Sequence, residues 1–286
     1  MSHILRIFGT VQLFGLLAAS LAPANAAQIE LNANAPHLCV AVSGGSTAPG
    51  TPVVAYSCSG APNYRWNYVN GQFQGLGTYN GATRCLDVID NGVVAGTPVD
   101  LWPCTGQLNQ QWQINDGQII GVQSGMCLES TGSGNQLVIS PCTGASSQNW
   151  ILRGMQFELT ASTPLCVSVY GGDTANGTPI VAASCADAPN QLWNYKDNNL
   201  TGLGSWNGTF TCLTSSGLAI GSEVTLSSCV AGSPTQQWTI SPAPSNKVSL
   251  ISSDLCLDST GPNFHGTPQV VVKPCSGAAS QNWNLR

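Results

Sequence analysis

The chain has 286 residues, of which 8 are Lys or Arg and 13 are Asp or Glu, so 7% is charged and the net charge is −5, against about 25% charged in an ordinary soluble domain. Three Lys and five Arg make no basic stripe to follow a phosphate backbone, which excludes nucleic acid as an expected partner and disfavours anionic membranes. Ser, Thr, Asn, Gln and Gly must cover the surface instead, over enough chain for one or two cored domains.

In chain order the first element is an address. Met1 to Arg6 supplies a positive start, Ile7 to Leu21 a mainly apolar stretch, and Ala24-Asn25-Ala26 a small-x-small cleavage site. Residues 1–26 are therefore expected to be a signal peptide. The apolar stretch is shorter than the roughly 20 residues of a membrane span and carries Gln12. No later segment is long and apolar enough to cross a bilayer. Export, to the extracellular space or a periplasm, places the cysteines in oxidising surroundings where they pair.

Twelve cysteines follow in six spaced pairs, 39/58, 85/104, 127/142, 166/185, 212/229 and 256/275, separated by 19, 19, 15, 19, 17 and 19 residues. An even count at recurring spacing in an exported chain reads as a disulfide framework. Zinc would require C-x₂₋₄-C knuckles, and the sequence has none. Spacing alone does not prove connectivity, but its recurrence implies that each bridge closes its own repeat: Cys39–Cys58, Cys85–Cys104, Cys127–Cys142, Cys166–Cys185, Cys212–Cys229 and Cys256–Cys275. Loops of this length contribute about 3 kcal/mol each in the chain-entropy model.

Each pair is followed by a tryptophan, namely Trp66, Trp112, Trp150, Trp193, Trp238 and Trp283, and the last five close a Gln-x-Trp triplet headed by Gln110, Gln148, Gln191, Gln236 and Gln281. The first repeat departs with Tyr64-Arg65-Trp66. Short alternating runs between Gly/Asn-rich turns predict strands, and no segment keeps a helical period. A longer period overlays the first: Cys39, Cys58 and Cys85 reappear 127 residues on as Cys166, Cys185 and Cys212, and Gly75-Leu76-Gly77 reappears as Gly202-Leu203-Gly204. Three units are thus duplicated as a block. The joint near Arg153-Gly154 has no Pro/Ser-rich linker, so the halves 27–153 and 154–286 are expected to pack closely.

Six Cys-Cys-Gln-x-Trp repeats in two threes resemble the ricin B-type lectin family over essentially the whole mature chain. The resemblance implies an all-β chain of two tandem β-trefoil domains, each of three repeats. It also implies carbohydrate binding, of galactose or N-acetylgalactosamine, or of xylan as in some bacterial modules, through only some of the repeats. No cofactor and no metal is implied, and the expected partners are neutral glycans.

Comparing the six copies column by column points to the binding repeat. Three residues before the second Cys stand Ala55, Leu101, Ile139, Ala182, Leu226 and Val272, a core column. Two before it stand Tyr56, Trp102, Ser140, Ala183, Ser227 and Lys273; a position that takes Ser and Lys is exposed, so Trp102 is not core filling. Four before it, on the same face, only the second repeat has a carboxylate, Asp100. Two after the first Cys stand Ala41, Asp87, Glu129, Ser168, Thr214 and Asp258.

Only the second repeat unites Asp87, Asp100, Trp102, Asn109 and Gln110. A pyranose has a flat C–H face that an exposed indole can cover and a rim of hydroxyls that a carboxylate and an amide can bind. In the resembling lectins the counterpart of Asp87 grips two sugar hydroxyls, that of Trp102 stacks on the ring and that of Asn109 completes the hydrogen bonding. Asp100 stands where many members carry Gln. A weaker second site is expected in the last repeat from Asp258 and Gln281, with Phe264 or His265 as the platform.

Enzymatic readings find little support. The mature chain has two histidines, His37 and His265, neither near a candidate Ser, and it has no phosphate loop and no H-E-x-x-H motif. Asp87 with Asp100 is the one pair able to span the roughly 5 to 9.5 Å of a glycosidase. The expected function is a secreted, non-catalytic carbohydrate-binding lectin. The alternatives are a sugar-blind trefoil scaffold, a protease or toxin inhibitor, or a glycoside hydrolase.

Overall fold

The computed structural model describes residues 26–33, 36–79, 82–159, 164–186, 188–202, 211–241 and 246–286, so nearly all of the expected signal peptide lies outside the described residues. Each repeat folds on four strands, to which the sixth adds the two-residue strands Asn263–Phe264 and Thr267–Pro268. The second repeat shows the plan: Gln72–Tyr79, Ala82–Val88, Val99–Pro103 and Trp112–Asn115. Between these strands lie only three-residue 3₁₀ turns, and no α-helix occurs among the described residues. No described helix is long and apolar enough to cross a membrane.

Inside a repeat the second and third strands form the hairpin that carries the two cysteines. All six bridges close within their own repeats, with Cα atoms 4.9 to 5.1 Å apart. The fourth strand begins at the recurring tryptophan. All six indoles are 0 to 1% exposed, and each donates its Nε1–H over 2.9 to 3.1 Å to the carbonyl of the residue after the first Cys, Val40, Leu86, Leu128, Val167, Leu213 and Leu257 in turn. The bulk of the indole is thus buried without leaving its one polar group unpaired.

The recurring Gly-Leu-Gly text has its cause here. A β-carbon on Gly75 would stand 2.4 Å from Trp66 Cζ3, and one on Gly202 would stand 2.7 Å from Trp193 Cζ3. Glycine is therefore what lets the following strand lie flat on the ring.

The recurring amide of each Gln-x-Trp triplet brackets the second cysteine. Its Oε1 accepts the N–H of the residue after that cysteine, and its Nε2 donates to the carbonyl of the residue before it, as Gln110 does with Thr105 (2.7 Å) and Pro103 (2.9 Å). Gln148, Gln191, Gln236 and Gln281 repeat the pattern. These side chains satisfy loop backbone groups that no strand partner reaches.

Three hairpins meet in a ring in each half. In the first half the contacts are Thr51 with Leu101, Val54 with Gln136 and Pro98 with Val138; in the second they are Thr178 with Leu226, Val181 with Gln269 and Glu223 with Val271. The two halves join through the fourth strands instead. The residue two after each tryptophan pairs across the seam, Tyr68 with Leu285, Ile114 with Ile240 and Leu152 with Tyr195. Repeats 1, 2 and 3 therefore face 6, 5 and 4, an approximate twofold relation between two threefold units.

Turn residues reinforce the seam. Asn198 Nδ2 donates to Asp116 Oδ1 (3.0 Å), Asn246 Nδ2 to Asn70 Oδ1 (3.1 Å), and the Gly154 N–H to Asn194 Oδ1 (3.0 Å). Asn70-Gly71 and Asp116-Gly117 are two-residue hairpin turns with positive φ at both positions, the geometry that Asn-Gly and Asp-Gly favour. One hydrophobic core runs through both halves. The expected joint at Arg153-Gly154 falls inside the strand Trp150–Met155, which itself pairs across the seam.

Trp112 is 0% exposed and bonds to Leu86, so Trp112→Ala should lower the unfolding free energy by about 3 to 5 kcal/mol, measured by denaturant titration of the oxidised protein.

Candidate functional site

The hairpin of the second repeat pairs Cys85 with Trp102, Leu86 with Leu101, Asp87 with Asp100 and Val88 with Val99. Leu86, Val88, Val99 and Leu101 are core residues. Strand alternation therefore turns Asp87, Asp100 and Trp102 to the opposite face. Two further segments wall this face. The turn Ile89–Asn91 folds over it with positive φ at Asp90 and Asn91, and the loop Gln107 to Gln110 approaches from the other side. The result is a cavity of about 280 Å³ lined by Asp87, Ile89, Asp90, Asn91, Asp100, Trp102, Thr105, Gln107 and Asn109.

The first repeat supplies a flank. Its Gly50 N–H donates to the Leu101 carbonyl (2.9 Å), and a β-carbon there would lie 3.9 Å from both Asp100 Oδ2 and Trp102 Cζ3. With φ at +80°, this turn requires glycine.

Asp87 is 5% exposed and held through one oxygen. Its Oδ1 accepts from Asn109 Nδ2 (2.9 Å) and Gln110 Nε2 (2.8 Å), while Oδ2 takes no hydrogen bond among the described residues. The second amide hydrogen of Asn109 goes to the Val88 carbonyl (3.1 Å), which leaves Asn109 Oδ1 buried without a partner. Asp100 is also 5% exposed, with Oδ1 buried and unpaired. Trp102 is 44% exposed. The inner polar atoms left over are all acceptors, beside an open aromatic face.

Four of the five sequence-selected residues, Asp87, Asp100, Trp102 and Asn109, line this cavity. Gln110 does not. It is 0% exposed, its amide nitrogen donates to Asp87 and Pro103, and its oxygen accepts from Thr105 and Gln72. It is a positioning residue beneath the site. Ile89, Asp90, Asn91, Thr105 and Gln107 line the cavity without having been selected. They lie in the turns that follow the two hairpin strands, outside the strand and Gln-x-Trp columns.

In the last repeat, the weaker candidate, the carboxylate is bonded within the chain. Asp258 Oδ1 accepts the Thr260 N–H (2.8 Å) and the Thr260 hydroxyl, and its Oδ2 accepts from Ser280 Oγ (3.1 Å) and Gln281 Nε2 (3.0 Å). Burial alone would raise its pKa, but these hydrogen bonds together hold it below the usual carboxylate value. Both Asp258 oxygens are used within the protein. Phe264 and His265 pack with Tyr170 of the fourth repeat, at ring separations of 4.9 and 5.7 Å.

The two carboxylates of the second repeat behave differently. Burial raises the Asp87 pKa against the lowering effect of its bonds to Gln110 and Asn109. Asp100 has no such bonds, and burial together with the charges of Asp87 and Asp90 pushes it up from 3.8 to about 6. Like charges directly opposite in a sheet repel. Elsewhere, Glu158 lies with Cys166 and Cys185 in a cluster of ligand-type atoms, but those sulfurs form a disulfide and Glu158 pairs with Arg286 (2.9 Å).

The model of the ricin-type β-trefoil lectin domain matches residues 27–150 and 155–283. The comparison with curated proteins gives no match. Among solved structures, the agglutinin from Abrus precatorius is 20% identical over 91% of this chain and 95% of its own, with a TM-score of 0.39. A non-toxic homologue of type II RIPs from Momordica charantia (bitter gourd), in complex with α-methyl-D-galactoside, is 21% identical over 87% and 92%, with a TM-score of 0.38. The earthworm R-type lectin C-half in complex with GalNAc is 14% identical over 46% and 97%, with a TM-score of 0.37.

The raised pKa of Asp100 makes stability pH-dependent. Native Asp100 holds its proton where the unfolded chain has released it, so its contribution is full below pH 3.8 and is lost as pH rises through about 6. Asp100→Asn should therefore raise the unfolding free energy at pH 7.5 by on the order of 1 kcal/mol after allowance for the open cavity, with a higher Tm, and change both little at pH 4. Calorimetric melts of both proteins at the two pH values check this.

Proposed function

The chain belongs to the ricin-type β-trefoil lectin family, and from that premise we propose that the second-repeat cavity binds one sugar unit for a secreted, non-catalytic lectin. The observation that carries the reading is the posture of Asp87, which is fixed through Oδ1 by Asn109 and Gln110 so that Oδ2 is left for a hydroxyl beside the open ring of Trp102. A carboxylate whose orientation is already fixed forms charge-assisted bonds at low ordering cost. The indole covers the apolar face of a pyranose. Galactose, N-acetylgalactosamine and xylan-type glycans are the first candidates. Six intrachain disulfides suit an exported protein.

A single shallow site holds one sugar weakly. Affinity on the order of millimolar, about −4 kcal/mol, is the expected scale, and strong retention requires multivalent display. A second reading has one point in its favour, because a carboxyl near pH 6 opposite another carboxylate is also the pattern of acid–base hydrolysis. The lectin reading stands first because Asp87 is locked by two donors and Asp100 Oδ1 is buried.

A glycan array with the mature protein should show binding; no signal at high probe density sinks the lectin reading. Trp102→Ala should abolish that binding and shift stability by no more than about 0.5 kcal/mol, as exposed substitutions do. Reducing sugar released from galactosides or xylan by the pure protein would favour the hydrolase.

A further inference from the structure

We infer that the sugar unit this site prefers carries a free ammonium: a hexosamine, in preference to its neutral or N-acetylated counterpart. This rests on the sugar-site reading above and narrows it by chemistry.

The starting observation is a buried carboxylate with nothing to balance it. Asp100 is 5% exposed, takes no hydrogen bond among the described residues, and stands directly across from Asp87. Asp90, on the adjoining turn, adds a third carboxylate to the same cavity. Among the described residues no Lys, Arg or His lines it. Arg84, the cation of the strand that carries Asp87, instead donates to the Thr47 carbonyl (3.0 Å). The other repeats avoid the problem by carrying Val54, Val138, Val181, Thr225 and Val271 in the column of Asp100.

A buried charge costs free energy unless it is paired. A sugar hydroxyl offers such a carboxylate one hydrogen bond and no charge. An ammonium offers three donors, no acceptor and a full positive charge, which matches a cavity whose unpaired inner atoms, Asp87 Oδ2, Asn109 Oδ1 and the Asp100 oxygens, are all acceptors. It also gains from the face of Trp102.

The sixth repeat carries the same solution within the chain. There Lys273 occupies the column of Trp102, and its Nζ lies 4.0 Å from Asp258 Oδ1, the counterpart of Asp87, while donating to Thr260 Oγ1 (2.6 Å). The hairpin geometry thus seats an ammonium over this column when the chain supplies one. In the second repeat the chain supplies Trp102 and leaves the ammonium to the ligand. The titration of Asp100 agrees: with a pKa of about 6, it is ionised and uncompensated at neutral pH, facing Asp87 and Asp90.

The test is a titration of the full mature chain at pH 7 with D-galactosamine, D-galactose and N-acetyl-D-galactosamine, and with the matching glucose series, read from the Trp102 indole N–H resonance. The amine should bind at least tenfold more tightly than its neutral partner in one series or both. The ratio should shrink at pH 5, where Asp100 is protonated, and in 1 M salt, where charge pairing is screened. In Asp100→Asn the ratio should fall towards one, with a calorimetric melt showing the variant folded. Equal or weaker binding of the amines, or a preference that survives Asp100→Asn and pH 5, overturns this inference and leaves the lectin reading intact. Failure of every sugar to shift the resonance overturns both.

Discussion

The bond from each buried indole N–H to the carbonyl after the first cysteine is the constraint on which the architecture turns. It anchors the fourth strand of a repeat to the second, so the largest side chain of the unit fills the core and the hairpin stays seated above it. In the second to sixth repeats the glutamine two residues earlier then clips the second cysteine through two backbone groups. Disulfide, amide and indole act on the same hairpin from three sides. The weak local preference of short strands is thereby replaced by tertiary contacts.

With its inner face committed in this way, the hairpin leaves its outer face free to vary. Most repeats use that freedom for small or apolar groups. The second repeat collects Asp87, Asp100 and Trp102 on it, and the same amide that clips Cys104 also orients Asp87. The seating of the hairpin and the posture of Asp87 are therefore coupled through Gln110, although Gln110 does not line the cavity. The sixth repeat shares the Asp-Gln pair but closes it with Thr260, Ser280 and Lys273. Two copies with similar sequence columns thus part company over which group satisfies one carboxylate.

The seam between the halves follows from the same plan. Fourth strands that start at the tryptophan continue two residues on to Tyr68, Ile114 and Leu152, whose partners come from the other half in reverse order. Joining through these strands, and not through the hairpins, leaves both hairpin rings off the seam. The second-repeat cavity is accordingly clear of the interface, flanked by Gly50 of the first repeat, while Gln123 of the third repeat bonds to the wall residue Asn91.

The sequence by itself determined the β class, the six bridges, the six core tryptophans and the repeat in which chemistry is concentrated. These are properties of periodicity and of comparison between copies, and six copies in one chain make such columns readable. It also singled out Asp87, Asp100, Trp102 and Asn109, because only the second repeat unites them. Only the tertiary structure decided that Gln110 lies beneath the cavity, that Asp258 is already satisfied, and that Ile89, Asp90 and Asn91 form a wall. The repeat pairing across the seam was likewise invisible in the sequence. Hydrogen-bond partners of a buried carboxylate come from loops tens of residues away, and whether its second oxygen is left open depends on where those loops pass. No column of residue types records that position.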